Sequence, residues 1–142
     1  YRRGKGHEMR RCLVDANIFL RILTEDDPRK SARCKELFRG SSGKRKLYTN
    51  SMVIAEIVWT LESYYGCSRS EVRDKIEKIL NTPSLKVEDD DLIAEAIALY
   101  EEKRIDYIDC YNAVYAKREQ MDWIYSYDTD FDRLSMTLRR EP

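Results

Sequence analysis

The sequence predicts an α/β fold with a mainly parallel sheet carrying helices on both faces, and three observations point there. Short strand-like apolar runs alternate with longer helical patterns, the order that pairs strands in parallel through helical crossovers. The 142 residues are about one domain in length, enough for a core without disulfide staples. Acidic residues fall at strand ends, and ligands of parallel sheets bind beyond the carboxyl ends of their strands.

Arg11 to Asp15 reads as a short buried strand, and its apolar continuation through Leu23 as a turn into a first helix. Asp27-Pro28 is an N-cap and first helical residue, opening a helix to about Arg39 that Gly40 ends. A loop at Gly40 to Gly43 leads to a strand at Lys46 to Thr49, after which Asn50 or Ser51 caps a helix running to Tyr65-Gly66. Ser68-Arg69-Ser70-Glu71 is a capping-box pattern for a helix to Leu80. Thr82-Pro83 breaks the chain before a strand at Leu85 to Val87, and Asp89 to Asp91 start the next helix. A further helix is expected from about Tyr107 to Gln120, then a buried strand at Trp123 to Ser126 and a last strand near Met136 to Arg139.

Tyr1 to Glu8, which carries the single histidine His7, reads as a tag or disordered leader before a single domain from Met9 to Pro142. Serine–histidine and cysteine–histidine catalysis are thereby disfavoured. Lysine plus arginine balances aspartate plus glutamate at 26 each, so no global basic field announces a nucleic-acid partner and any such partner is held locally. Arg29, Lys30, Arg33, Lys35, Arg39, Lys44, Arg45 and Lys46 make one locally basic stretch, read first as a solvated face. Cys12, Cys34, Cys67 and Cys110 are too far apart for paired zinc-ligand spacing. With no secretory leader and no apolar run of roughly 20 residues, the expectation is a cytoplasmic protein with reduced thiols and no membrane association.

Four acids interrupt runs that otherwise look like core: Asp15 in Leu13-Val14-Asp15-Ala16-Asn17-Ile18, Glu56 in Val53-Ile54-Ala55-Glu56-Ile57-Val58-Trp59, Asp109 in Ile108-Asp109-Cys110, and Asp128 after Trp123-Ile124-Tyr125-Ser126-Tyr127. A lone ionised carboxylate is costly to bury, so the four together imply a shared compensating charge, most simply a hard divalent cation. Such an ion activates water and neutralises phosphoryl oxygens, which makes metal-dependent phosphodiester hydrolysis the chemistry to expect. Some of the acids in these segments also have a plainer reading. Asp15 is placed to cap the helix at Ala16, Glu56 to lie on an exposed helix face, Asp106 to cap the helix that holds Asp109, and Asp130 to cap a turn at Phe131. Tyr64, Tyr65, Tyr107 and Tyr111 are available either for packing or for stacking on unpaired bases.

Leu13-Val14-Asp15-Ala16-Asn17, the helical Glu56, Asp106-Tyr107-Ile108-Asp109-Cys110-Tyr111-Asn112-Ala113 and Ser126-Tyr127-Asp128-Thr129-Asp130-Phe131, in that order, resemble the PIN domain and particularly the VapC-like toxin ribonucleases. The resemblance implies a three-layer α/β/α sandwich and a Mg²⁺ or Mn²⁺ site that cleaves RNA. It makes Asp15, Glu56, Asp109 and Asp128 the catalytic and metal-binding acids, adds Asp130 and Asp106 as further metal ligands, and gives Asn17 and Ser126 supporting roles. It also implies a homodimer silenced by a small antitoxin protein, although the same site serves RNA-processing and quality-control nucleases.

Overall fold

The computed structural model describes residues 9–40 and 44–142. The expected leader with His7, and the expected loop beyond Gly40, lie outside the described residues. Strand β1 (Arg10–Leu13) pairs in parallel with β2 (Arg45–Thr49), and β2 in parallel with β3 (Leu85–Val87). Helices α1 (Ala16–Thr24) and α2 (Pro28–Arg39) make the first crossover, α3 (Ser51–Ser63) and α4 (Arg69–Leu80) the second. The chain continues through α5 (Asp90–Lys103), α6 (Tyr107–Arg118), β4 (Ile124–Tyr125), a 3-10 turn at Thr129–Arg133 and β5 (Arg139–Arg140).

Helix starts follow the local chemistry of the sequence. The Asp27 carboxylate accepts from the Lys30 N–H with Pro28 in the first turn, and the Asn50 side chain accepts from Val53 N–H. Ser68 and Glu71 complete a reciprocal capping box at α4. After α3 the chain turns through Gly66 at φ 63°, a left-handed conformation that glycine adopts without steric cost.

The strands alternate. Register aligns Cys12, Leu47 and Leu85 in one row, and Thr49 with Val87 two residues on, all buried or half-buried. Against this face lie Ile54, Ile57 and Leu61 of α3, Val72 and Ile76 of α4, Ile93 and Ile97 of α5, and Cys110 and Val114 of α6, in one contiguous core. Coverage of the two faces is unequal: the opposite face carries Arg11, Leu13, Lys46, Tyr48 and Lys86, exposed except for half-buried Tyr48. Arg11 lies over the Tyr48 ring, 4.9 Å from its centroid.

Three expectations are corrected. Strand β1 stops at Leu13, which is 65% exposed, so it is not a buried strand reaching Asp15. The segment Trp123 to Ser126 is also not buried; its ladder holds two residues, and Tyr125 is 63% exposed. Finally, the last strand is Arg139–Arg140 rather than Met136 to Arg139, it pairs in parallel with β4, and this two-stranded ladder is hydrogen-bonded to no strand of the three-stranded sheet. The physical reason is local: Ile124 N–H and Ser126 N–H are satisfied by the carbonyls of Leu138 and Arg140, and the chain bends at Asp122 and Tyr127, leaving no longer straight edge to pair. Among the described residues no helix is long and apolar enough to cross a membrane.

Arg69 ties α4 to the approach of α6. Its guanidinium donates to the carbonyls of Tyr100 and Ile105, both at 2.8 Å, and stacks over the Tyr100 ring at 4.4 Å. Between those carbonyls the chain turns at Arg104, φ 57°, without a glycine. Replacing Arg69 by Met should therefore lower stability by about 2–3 kcal/mol, the scale of lost hydrogen bonds from a charged donor, read as a lower urea midpoint.

Candidate metal centre

Two short elements converge at the site. Asp109 is the third residue of α6, where Cys110 and Tyr107 anchor the helix in the core and the Tyr111 hydroxyl bonds the Ser51 hydroxyl of α3 at 3.1 Å. Asp128 follows β4 and caps the 3-10 turn that contains Asp130. Ser126 Oγ accepts from Asp128 N–H at 2.9 Å, and Asp128 Oδ1 accepts from Asp130 N–H at 2.9 Å. Buried Phe131 and Leu134 root the turn below. Arg139 clamps it from β5, donating to the Ser126 carbonyl, both Asp132 oxygens and Glu141.

The result is a group of three carboxylates, Asp109, Asp128 and Asp130, each offering one oxygen, with those oxygens all within 4.8 Å of one another. Burial, the Asp128 charge and a hydrogen bond with Asp128, and then the charges of Asp106 and Asp130, push the Asp109 carboxyl up to about 6. A position in the first turn of a helix favours a carboxylate, so burial and repulsion here outweigh the helix dipole. Among the described residues, the cation paired with the group is Arg133, 3.8 Å from Asp130 and exposed, a pair of little weight. Clustered carboxylate oxygens without histidine or thiolate are a donor set for a hard divalent cation such as Mg²⁺ or Mn²⁺, so the residues fit the ion.

The remaining candidates are placed differently. Asp106 precedes α6 but makes no capping bond, which removes the plainer reading of that residue; its charge instead helps to raise Asp109. Asp130 does not cap a turn at Phe131, because Asp128 is the cap. Asp15 does cap α1, accepting from Ala16 N–H at 2.8 Å, and Asn17 is exposed in the same helix. Glu56 lies on the outward face of α3 between exposed Met52 and Trp59. Neither Asp15 nor Glu56 belongs to the three-carboxylate group. Asp15 follows β1 and Asp128 follows β4, and no ladder joins those strands. The premise that all four acids intrude into core is likewise corrected: Asp15, Glu56 and Asp128 are exposed and Asp109 is half-buried, because element ends open the three aspartates, and the outward face of α3 opens Glu56, to solvent.

Of the tyrosines read as available for stacking, Tyr107 is buried, Tyr111 bonds Ser51, and Tyr65 bonds Asp26 at 2.7 Å; Tyr64 remains 77% exposed. The exposed aromatics beside the acids are Tyr125 and Tyr127, at 63% and 73%. Their signal in the sequence was the alternation Trp123, Tyr125, Tyr127 running into Asp128.

The raised Asp109 carboxyl gives stability a pH dependence of known sign. The folded state takes up this proton more readily than the unfolded chain, whose Asp titrates near 3.9. The penalty is therefore absent below that value, grows as pH rises, and is fully present above about 6. In chelator, Asp109→Asn should melt higher than the parent protein at pH 8, the gap closing toward pH 4. Added Mn²⁺ should raise the parent melting temperature and leave the variant nearly unmoved, as thermal melts across pH will show.

The PIN domain family model matches residues 12–135. Over 123 residues the chain is 31% identical to a VapC ribonuclease of Aquifex aeolicus (strain VF5), covering 86% of this chain and 90% of that protein. A crystal structure of VapBC2 from Rickettsia felis bound to a DNA fragment from their promoter aligns over 94% of this chain and 98% of its own. Its identity is 16% and its TM-score 0.38, too low to bear on fold, site or function. On the family match and the 31% identity, the chain belongs to the PIN-domain family, in its VapC-like group, and its α/β fold with a central parallel sheet is that family's three-layer sandwich.

Proposed function

We propose that this protein is a Mg²⁺- or Mn²⁺-dependent endoribonuclease acting in the cytoplasm as the toxin of a type II toxin–antitoxin pair. The observation that carries the reading is the convergence of Asp109, Asp128 and Asp130 in a chain of this family, with the Asp109 carboxyl held well above its ordinary range. These three would hold the ion. The ion supplies activation of a water and neutralisation of charge on the attacking and leaving oxygens. Ser126 fixes the Asp128 backbone, and the turn fixes Asp130 relative to Asp128, so the carboxylates are positioned before substrate arrives. Asp106 stands outside the group, its charge reaches Asp109, and in this reading it would accept the proton of the attacking water.

Asp15 and Glu56 complete the acidic set of this proposal, with Asn17 beside Asp15. The relative's description as a VapC ribonuclease supports RNA as substrate. Homodimerisation is supported by the outward face of α3, where Met52 and Trp59 are 79% and 67% exposed at helical spacing. In the same reading the regulatory partner is a small antitoxin whose tail fills the acidic cleft.

The test is cleavage of a mixed cellular RNA pool by purified protein in Mn²⁺, Mg²⁺ or chelator, alongside Asp128→Asn and Asp15→Asn. Asparagine keeps an oxygen for the cap at either position, so folding should persist. Defined products are expected from the parent only with metal. Each variant should lose about 100-fold or more, the scale of removing a group that stabilises developing charge. Metal-independent cleavage, or undiminished cleavage by Asp128→Asn, would remove the assignment.

A further inference from the structure

Helix α6 carries Asp109 in its first turn but starts without a side-chain cap of its own, since Asp106 makes no capping bond. A contact from α4 supplies the hold. The Ile105 carbonyl, on the residue before Asp106, accepts from Arg69 Nη1 at 2.8 Å and from the Cys110 thiol at 3.6 Å. The same guanidinium nitrogen donates to the Tyr100 carbonyl near the end of α5, also at 2.8 Å. One side chain thus spans the connection between α5 and α6, within which Arg104 turns the chain at φ 57°. The guanidinium is itself held in place. Arg69 is the first residue of α4, and the reciprocal bonds of Ser68 and Glu71 set its backbone. It lies over the Tyr100 ring, 4.4 Å from the centroid, and the Tyr100 hydroxyl donates to Glu62 of α3 at 2.6 Å. Tyr100 in turn meets Tyr107, the first residue of α6, edge-on with centroids 6.3 Å apart. Tyr100, Ile105, Tyr107 and Cys110 are all buried.

We propose that Arg69 is a positioning residue for the metal centre, holding the start of α6 so that Asp109 keeps its place beside Asp128 and Asp130. This rests on the metal-dependent reading of the site and adds to it a residue, outside the acidic group, that sets the spacing of the acids. Asp128 and Asp130 ride on a separate turn, which Arg139 holds by the Ser126 carbonyl. Each half of the group is therefore held through backbone carbonyls by a guanidinium from another element. Backbone hydrogen bonds make a helix a rigid unit, so a shift of the Ile105 carbonyl carries Asp109 with it. The tolerance is small: a metal-binding constellation works only when held to within about 0.5 Å of its geometry, and Mg²⁺ is the most exacting of the hard cations. Without Arg69 two carbonyls lose a charged donor, and the connection between α5 and α6 is free to relax by more than that.

The experiment measures Mn²⁺ binding, read as loss of the free-ion electron paramagnetic resonance signal, for the parent protein, Arg69→Met, Arg69→Lys, Asp128→Asn and Ile79→Ala. Asp128→Asn identifies which bound ion belongs to the centre. Ile79→Ala opens a cavity under the same helix, where Ile79 is buried in the core, and so reports what lost stability alone does. All are compared below their melting transitions, with circular dichroism to establish folding. Arg69→Met should bind Mn²⁺ about 10-fold more weakly, the lower end of what losing the support of a metal ligand costs. Lysine keeps the charge but is one bond shorter and lacks the flat face that lies on Tyr100, so Arg69→Lys should recover only part of the affinity. Ile79→Ala should bind as the parent does. Parent-like affinity in both Arg69 variants, or an equal loss in Ile79→Ala, overturns the role; if Arg69→Met does not fold, Arg69→Lys decides by the same criterion. The two readings fail separately. Metal-dependent RNA cleavage with Mn²⁺ affinity unchanged in the Arg69 variants removes the positioning role alone, whereas the expected loss of Mn²⁺ affinity in a protein that cleaves no RNA supports the role and removes the nuclease. A parent protein that binds no Mn²⁺ removes both.

Discussion

Three carboxylate oxygens within 4.8 Å of one another repel, and the protein must hold them there against that repulsion. The surrounding structure answers this need. One side is a helix start anchored by buried Tyr107 and Cys110, the other a 3-10 turn rooted by Phe131 and clamped by Arg139. Neither side supplies a strong neutralising charge. Arg139 is fully engaged with Asp132 and Glu141, and Arg133 reaches only Asp130, in solvent. Burial and this unneutralised repulsion together surface in Asp109, whose proton is held well above the usual carboxylate range. A cation entering the cluster removes that penalty, so its binding and the stability of the fold are linked.

Local chemistry made much of this legible beforehand. Asp27-Pro28, Asn50 and the Ser68–Glu71 pair act over three or four residues, and each cap formed where the sequence placed it. The acids were legible as chemistry but not as environment. Glu56 is surrounded in sequence by apolar neighbours, yet a helix places every third or fourth residue on one side, and Glu56 shares the outward side with Met52 and Trp59. Asp106 shows the converse: a residue type and position suited to capping, with no capping bond made.

What the sequence could not disclose is which strands meet. Ile124 and Tyr125 read as core because their residue types suit strands, but pairing is decided by the remote carbonyls of Leu138 and Arg140. The outcome leaves β4 outside the ladder that holds β1. The same non-local choice exposes Tyr125. The unequal faces of the three-stranded sheet, by contrast, were written in the alternation of Lys46, Tyr48 and Lys86 with Leu47, Thr49 and Val87.

The clamp from β5 also sets an order of events. The turn that carries Asp128 is backed by an element whose last pairing residue is Arg140, and the Ser126 carbonyl finds its guanidinium partner only when Arg139 has folded back. A ribosome adds residues from the amino end, so the helices and the three-stranded sheet are available to fold while the acidic turn still lacks its support. Chain growth thus acts as a timer for this support: the β4–β5 ladder and the Arg139 clamp on the acidic turn exist only on molecules whose synthesis has passed residue 140.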